Sequence, residues 1–280
     1  MRPAFLINAA SYEGAGSRMR GEVEREKMMA ANAILPQMVA RVCMMTKTPW
    51  GHVSSGSVYC GAKLVRNGTL AIQPRLGAES LALFEAHPEG LRGFTELDEP
   101  NTSFRTMACD FYSGTKALAE EAIRDIGWSY IWRLRLPFND REERCNWLWQ
   151  MLRQGEAREG LNSLSHLEDC VRACLDLWET QAPFGVYNVA NPGAVTTGHV
   201  AEAMQRILGA PVRVRPAEPD GEEEEAQSSC ILDCGKLLRA GVKLRAVEEA
   251  LAESLERMRR AVRTVKIFAA ESQVLPAAML

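Results

Sequence analysis

The sequence predicts an α/β protein: a parallel sheet flanked by helices, then a smaller mixed α/β region in the C-terminal half. Three observations predict it. Short apolar runs recur at 4–10, 51–59 and 128–137, ending in small residues, in hydroxyls and at a proline in turn, as buried parallel strands do. Helical stretches lie between them, which is how parallel strands are connected. The chain has 280 residues, 46% hydrophobic and 25% charged, enough for a sizeable core.

The first strand is expected at 4–10, Ala-Phe-Leu-Ile-Asn-Ala-Ala. The loop after it carries Gly14 and Gly16, but Met19 stands where a dinucleotide fingerprint needs its third glycine. Its glycines also come too late after the strand for a tight phosphate-binding turn. A helix follows from Glu22 to about Val42, acidic at its start and kinked at Pro36. The second strand, 51–59, ends in hydroxyls. Residues 61–105 form a long excursion rich in Gly, Pro and charge, with a short helix at 78–86. A stretch that long is more often functional or mobile than a simple connector. A helix opens at Phe111, and a third strand over 128–137 is stopped by Pro137. In such sheets ligands sit at the carboxyl ends of the strands, where Asn8, Ser55 and Pro137 fall.

The second half reads as helices over 146–154 and 167–179 and a strand over 185–190 closed by Asn191-Pro192-Gly193. A helix capped by Thr197 then spans 199–208. The charge run 222–225 reads as a solvated loop. A short strand at 230–233, a helix from Lys236 to Gly241 and a long amphipathic helix from Val247 to about Val265 complete it.

A net charge of −3 gives no reason to expect nucleic acid or an anionic membrane as partner. No apolar run is expected to span a bilayer, and the N-terminus turns polar too soon for a signal peptide. Eight cysteines without a CxxC pair read as mostly buried free thiols in a reducing cytoplasm. The four histidines are scattered, so no metal site is expected.

The chemistry centres on Phe111-Tyr112-Ser113-Gly114-Thr115-Lys116. Tyr112 and Lys116 are four apart, on one helix face. Bringing a phenol from its usual pKa near 10 to about 7 needs roughly 4 kcal/mol of preference for phenolate. One Lys charge about 6 Å away supplies roughly 3 kcal/mol at an effective dielectric near 20. A second positive charge, such as a nicotinamide cation, would complete the shift. The bare spacing also fits a chance pair on a solvated helix.

Ser54-Ser55-Gly56-Ser57-Val58-Tyr59, then Tyr112-Ser113-Gly114-Thr115-Lys116, then Arg133-Leu134-Arg135-Leu136-Pro137 together resemble the extended short-chain dehydrogenase/reductases of the NAD-dependent epimerase/dehydratase family. Within it, the chain resembles dTDP-4-dehydrorhamnose reductases and plant nucleotide-rhamnose epimerase/reductases. The segments 94–100, 162–169 and 187–193 fit the same family, so the resemblance covers about residues 4–265.

The resemblance implies a Rossmann-like sheet, NAD or NADP as cofactor, a nucleotide sugar as substrate and a homodimer formed through the tyrosine helix. Tyr112 would exchange a proton with the sugar, Lys116 would hold the nicotinamide ribose and lower the Tyr112 pKa, and Ser55 would bind the same sugar oxygen. Asn8, Ala9 and Ala10 would line the cofactor, Asn32 would support the backbone on that side, and Pro137 would border the nicotinamide. Ser57 falls beside the substrate. Read as bare residues, Ser55 is also a strand-end hydroxyl and Asn32 a polar helix residue.

Two departures matter. The first strand matches the family's fourth, so the expected Rossmann-like sheet is incomplete and lacks the glycine-rich turn. That implies an exposed sheet edge and an isolated chain that is unstable, aggregation-prone or dependent on a partner. Ser57 and Gln150 stand where the plant enzymes carry a cysteine and a lysine that serve epimerisation. A hydroxyl and a neutral amide are poor proton-abstracting replacements, so reduction or oxidation at one sugar carbon is favoured. The expected organisation is a truncated NAD(P)-binding region at 1–140, a mainly substrate-binding region at 141–265 and a tail at 266–280. The rival reading is a non-catalytic remnant that binds a sugar nucleotide or a partner.

Overall fold

The computed structural model describes residues 3–13, 21–66, 69–73, 76, 78–87, 90–106, 109–216 and 229–272. The Gly14–Gly16 loop, the 222–225 charge run and the end of the tail lie outside them. The chain begins with strand β1 (Leu6–Asn8). Helix α1 (Glu22–Met29) passes through a π turn (Ala30–Ile34) into α2 (Leu35–Thr46). The expected kink at Pro36 takes this form: Pro36 has no N–H to offer the carbonyl four residues back, and a wider turn absorbs the defect. Strand β2 (Trp50–Ser55) ends earlier than expected, because Ser55 caps a 3-10 turn (Gly56–Val58).

The 61–105 excursion is more ordered than its composition predicts. Antiparallel strands β3 (Ala62–Arg66) and β4 (Thr69–Gln73), helix α3 (Ala78–Ala86) and strand β5 (Leu91–Arg92) form a three-stranded sheet with a helix beside it. Helix α4 (Phe111–Ile123) and strand β6 (Ser129–Leu134) return the chain to the main sheet.

The remaining elements are β7 (Pro137–Phe138), α5 (Trp147–Gln154), β8 (Glu156–Arg158), β9 (Leu161–Asn162), β10 (Ser165–His166), α6 (Leu167–Glu179), β11 (Gly185–Asn188), β12 (Val195–Thr196), α7 (Thr197–Leu208), β13 (Arg213–Arg215), α8 (Gly235–Arg239) and α9 (Val247–Ser272). The α7 cap is Thr196, one residue before the expected Thr197. The stretch 230–233 makes only isolated bridges to neighbouring chain.

The main sheet is parallel throughout, in the order β1-β2-β6-β11. Alternation along β6 sorts its side chains to two faces. Ile131 packs with Ala40, Cys43 and Ile123 from α2 and α4. Tyr130 and Trp132 pack with Cys170, Cys174 and Leu177 from α6, and with Leu237 from α8. A separate core joins α5, α7 and α9 through Leu148, Met151, Val200, Met204 and Leu255.

The continuous helix Glu22–Thr46 is long and apolar enough, by length and composition, to cross a membrane. This corrects the expectation that no such run exists: from Met28 to Met45 the only charged residue is Arg41. Here about a third of the stretch is buried, with Met28, Ala33, Ala40 and Cys43 facing inward. The eight cysteines are all free, five of them buried.

Candidate active site

Asp110 starts α4. Its carboxylate accepts from Ser113 N at 2.9 Å and from Ser113 Oγ at 2.5 Å, the usual N-cap arrangement. Gly114 leaves room for the Phe104 ring, which a Cβ there would meet at 2.3 Å. The helix so begun places Tyr112 and Lys116 one turn apart. Lys116 Nζ lies 5.6 Å from the centroid of the Tyr112 ring. Lys116 is buried, and Tyr112 is half-buried.

The carboxyl end of β2 meets this helix. Ser55 Oγ accepts from Ser57 N at 3.1 Å, which fixes the turn. The hydroxyls of Ser55 and Ser11 stand beside the Tyr112 phenol and favour its ionised form. Burial pushes the Tyr112 pKa up to about 12, Glu13 and Asp110 add to the rise, and the two serines oppose it. The net shift is upward in the protein as folded: desolvation of a phenolate outweighs the groups that favour its charge. Burial likewise lowers the Lys116 pKa to about 8, against the carboxylates of Glu13 and Glu120. The one described hydrogen bond of its ammonium goes to Val53 O at 3.5 Å.

The strand-end loop after β1 is held from two sides. Asn8 Oδ1 accepts from Ala10 N at 3.1 Å, and Asn8 Nδ2 sits 3.2 Å from His52 Nδ1. This leaves Ala9 and Ala10 exposed, with small side chains that let a flat group approach the backbone. Asn32, on the π turn, is fully buried. It pairs with the Tyr12 backbone through two 2.8 Å hydrogen bonds and also reaches Thr115 Oγ1 on α4 at 3.4 Å. Ser57 Oγ is enclosed and, among the described residues, has no hydrogen-bond partner. Pro137 opens β7 just past the carboxyl end of β6, where Leu136 takes a φ of 39°. Gln150 lies on α5 and donates to Arg144 O at 2.9 Å.

The fold thus gathers Ser55, Tyr112 and Lys116 at the carboxyl ends of the strands, beside Asn8 and the backbone of Ala9 and Ala10. Sequence reading missed Ser11 on the phenol and a buried layer under the pair, made of His52, Ser54, Tyr59, Glu120 and Arg133. Glu120 continues the Tyr112–Lys116 spacing by four more residues, and that signal was available. The donor set fits the nicotinamide riboside half of a dinucleotide: a buried ammonium with donors to spare and an open strip of small residues. A cavity of about 410 Å³, lined by Lys47, Pro49, Trp128, Tyr130, Trp178 and Phe184, lies at the opposite, amino ends of the strands. It is remote from this chemistry.

A model of the RmlD substrate binding domain matches residues 1–260. The chain belongs to that family. A trifunctional UDP-glucose 4,6-dehydratase/UDP-4-keto-6-deoxy-D-glucose 3,5-epimerase/UDP-4-keto-L-rhamnose-reductase from Arabidopsis thaliana is 30% identical over 125 residues. That alignment covers 44% of this chain and 18% of the plant protein, so the chain matches only a small part of it. Among solved structures, the UDP-rhamnose synthase of Acanthamoeba polyphaga mimivirus superposes with a TM-score of 0.72 at 17% identity, covering 91% of this chain and 83% of that one. A dTDP-4-dehydrorhamnose reductase from Bacillus anthracis, solved with NADP, gives a TM-score of 0.65 at 19% identity, covering 92% and 81%. At these identities the structures establish the fold, a Rossmann-like reductase fold with a helix-flanked parallel sheet.

Proposed function

We propose that this RmlD-family chain acts as an NAD(P)-dependent reductase of a nucleotide-linked 4-keto sugar. The observation that carries the reading is the convergence of Ser55 and Tyr112, from β2 and α4, with Lys116 buried beside them. When bound, the nicotinamide supplies the hydride. Tyr112 donates the proton that the reduced carbonyl oxygen takes up, and Ser55 holds that oxygen by its hydroxyl. Lys116 turns its free donors to the ribose hydroxyls, and Ser57, its hydroxyl enclosed just past Ser55, lies beside the sugar. The strip at Ala9 and Ala10, braced by Asn8 and Asn32, gives the ring its floor, and Pro137 borders it.

Reduction is favoured over epimerisation because Ser57 and Gln150 carry no group that abstracts a proton near neutral pH. NADPH or NADH oxidation with a UDP- or dTDP-linked 4-keto-6-deoxy sugar tests the reading. Turnover that falls at least about 100-fold in a folded Tyr112→Phe variant supports it. Equal turnover in wild type and variant, or none in either, sinks it. Exposed Ile34, Met38, Val42 and Met45 on the α2 side, with Leu118 on α4, support a homodimer through these helices. Sedimentation equilibrium measures that, and a monomer at working concentration rejects it.

A further inference from the structure

Below the Tyr112–Lys116 pair lies an ion pair with no exposure at either side chain, Glu120 on α4 with Arg133 on β6. Arg133 Nη2 donates to Glu120 Oε2 at 2.6 Å, and its Nε lies within 3.1 Å of both carboxylate oxygens. Ser54 Oγ, on β2, donates to Glu120 Oε1 at 2.5 Å. Arg133 Nη1 donates to Tyr59 OH at 2.7 Å, and that hydroxyl is fixed in turn against Asp98 O at 2.6 Å. One carboxylate therefore ties together a helix and two strands. A buried ion pair is weak evidence for stability, because two charges lose their hydration to make it. Its placement asks for another reason: Tyr112, Lys116 and Glu120 are spaced by four and form one stripe along α4.

We propose that Glu120 is a positioning residue for the Tyr112–Lys116 pair: held by Arg133 and Ser54, its carboxylate is the fixed counter-charge one turn below Lys116 that keeps this side chain an ammonium aimed past the Tyr112 ring. This rests on the reading of Tyr112 and Lys116 as the catalytic pair. The groups that face Lys116 are Tyr112 and Glu120 on its own helix, His52 on β2 and Glu13 on the loop after β1, with Arg133 on β6 behind Glu120. His52 is neutral where it is buried, and Glu13 is exposed and screened by solvent. Glu120 is the one carboxylate among them that solvent does not reach.

The test is a carbon-13 NMR titration of lysine side chains in the full chain, with Lys116 assigned by its loss in Lys116→Met. Folding of every variant is checked by circular dichroism. In Glu120→Gln the Lys116 midpoint should fall by about one pH unit, a tenfold weaker hold on the proton. In Arg133→Met, where Glu120 is left uncompensated, it should rise. The fall in Glu120→Gln should persist at about 1 M salt, where screening acts over ~3 Å, whereas any effect of Glu13→Gln should shrink. Mere loosening of the core would expose Lys116 and raise its midpoint in both variants. An unchanged or raised midpoint in folded Glu120→Gln overturns the proposal. Should that variant not fold, a midpoint that stays or drops in Arg133→Met does the same. The titration needs no turnover, so an inactive wild type with these shifts intact would reject the reductase reading and leave the role of Glu120 standing.

Discussion

Asn32 and Tyr12 are joined as two strands would be. The Asn32 side-chain amide gives one hydrogen bond to Tyr12 O and takes one from Tyr12 N, both at 2.8 Å. A π turn presents that amide, and the chain it grips follows directly on the exposed Ala9-Ala10 strip. The irregular turn in the helix and the shape of the proposed cofactor floor are thus one feature.

Asn32→Asp should break half of this arrangement. The carboxylate still accepts from Tyr12 N but cannot donate to Tyr12 O, and it lies at a fully buried position. A loss of about 2 kcal/mol is expected by urea denaturation, the cost of a buried polar group left unpaired. Under the proposed function, KM for the nicotinamide cofactor should rise more than kcat falls.

Ser54 and Ser55 are adjacent but should separate cleanly by measurement. Ser54→Ala removes a hydrogen bond to a buried carboxylate and should cost about 2 kcal/mol of stability. Ser55→Ala removes a hydroxyl beside the Tyr112 phenol and, under the proposed function, should lower kcat by about 100-fold, with under ~1 kcal/mol of stability lost from the turn it caps. Denaturation and steady-state kinetics on both variants check the split. Reversed results would mean that the two hydroxyls had exchanged roles.

The parallel strands and the tyrosine helix were legible because their signals are local. Each strand is an apolar run with a clear stop after it, an amide at Asn8, a hydroxyl at Ser55 and a proline at Pro137, and Asp110 and Ser113 mark the helix start. The excursion at 61–105 was misread although Asn67-Gly68, a strong two-residue hairpin signal, separates β3 from β4. Exposed Leu70 and Ile72 blur the alternation that would have supported it. The short strands β7 to β10 and β12 were not legible at all, since two- and three-residue ladders depend on partners distant in sequence. At the site, Ser55, Tyr112 and Lys116 came from spacing and resemblance. Arg133 and Glu120 were visible as charges in apolar surroundings, but only the fold shows that each is the other's partner.

Acid should destabilise the protein before its carboxylates titrate. Burial, helped by the Lys116 charge, holds the His52 pKa at about 3, against an ordinary 6.5. The unfolded chain therefore binds a proton that the folded chain refuses, and stability is lost as pH falls from 6.5 toward 3. Over the upper two pH units this amounts to about 2 kcal/mol. Urea midpoints at pH 7 and 4.5 measure it, and His52→Gln should flatten that limb.

Lys116 acts on the alkaline side with its own sign. Its folded pKa of about 8 lies below the ordinary 10.5, so its burial penalty is complete below pH 8 and disappears above 10.5. Buried thiols such as Cys230 and Cys234, whose pKa values burial raises to about 11 and 12, lose stability over the same range. The lysine contribution is therefore read as the difference between wild type and Lys116→Met. That difference should shift in favour of wild type by about 3 kcal/mol between pH 8 and 10.5.

Gly51→Ala tests the sheet apart from the chemistry. A Cβ at Gly51 would come within 2.0 Å of the Trp132 ring on the neighbouring strand. Trp132 is fully buried among Tyr130, Phe5 and the residues of α6, so it has no free space to yield. Overpacking of this kind costs about 1–3 kcal/mol, or more where the neighbour is rigid. Gly21→Ala, where nothing lies within 4 Å, is the matched control and should change stability by under ~1 kcal/mol. Gly51 lies on the far face of β2 from Ser54 and Glu120, near the strand's amino end. Ser55, Tyr112 and Lys116 gather at the other end. Folded Gly51→Ala should therefore keep the wild-type midpoint of Lys116 while its urea midpoint falls. A variant as stable as wild type would show that Trp132 is free to move and that the β2–β6 contact is looser than the packing described.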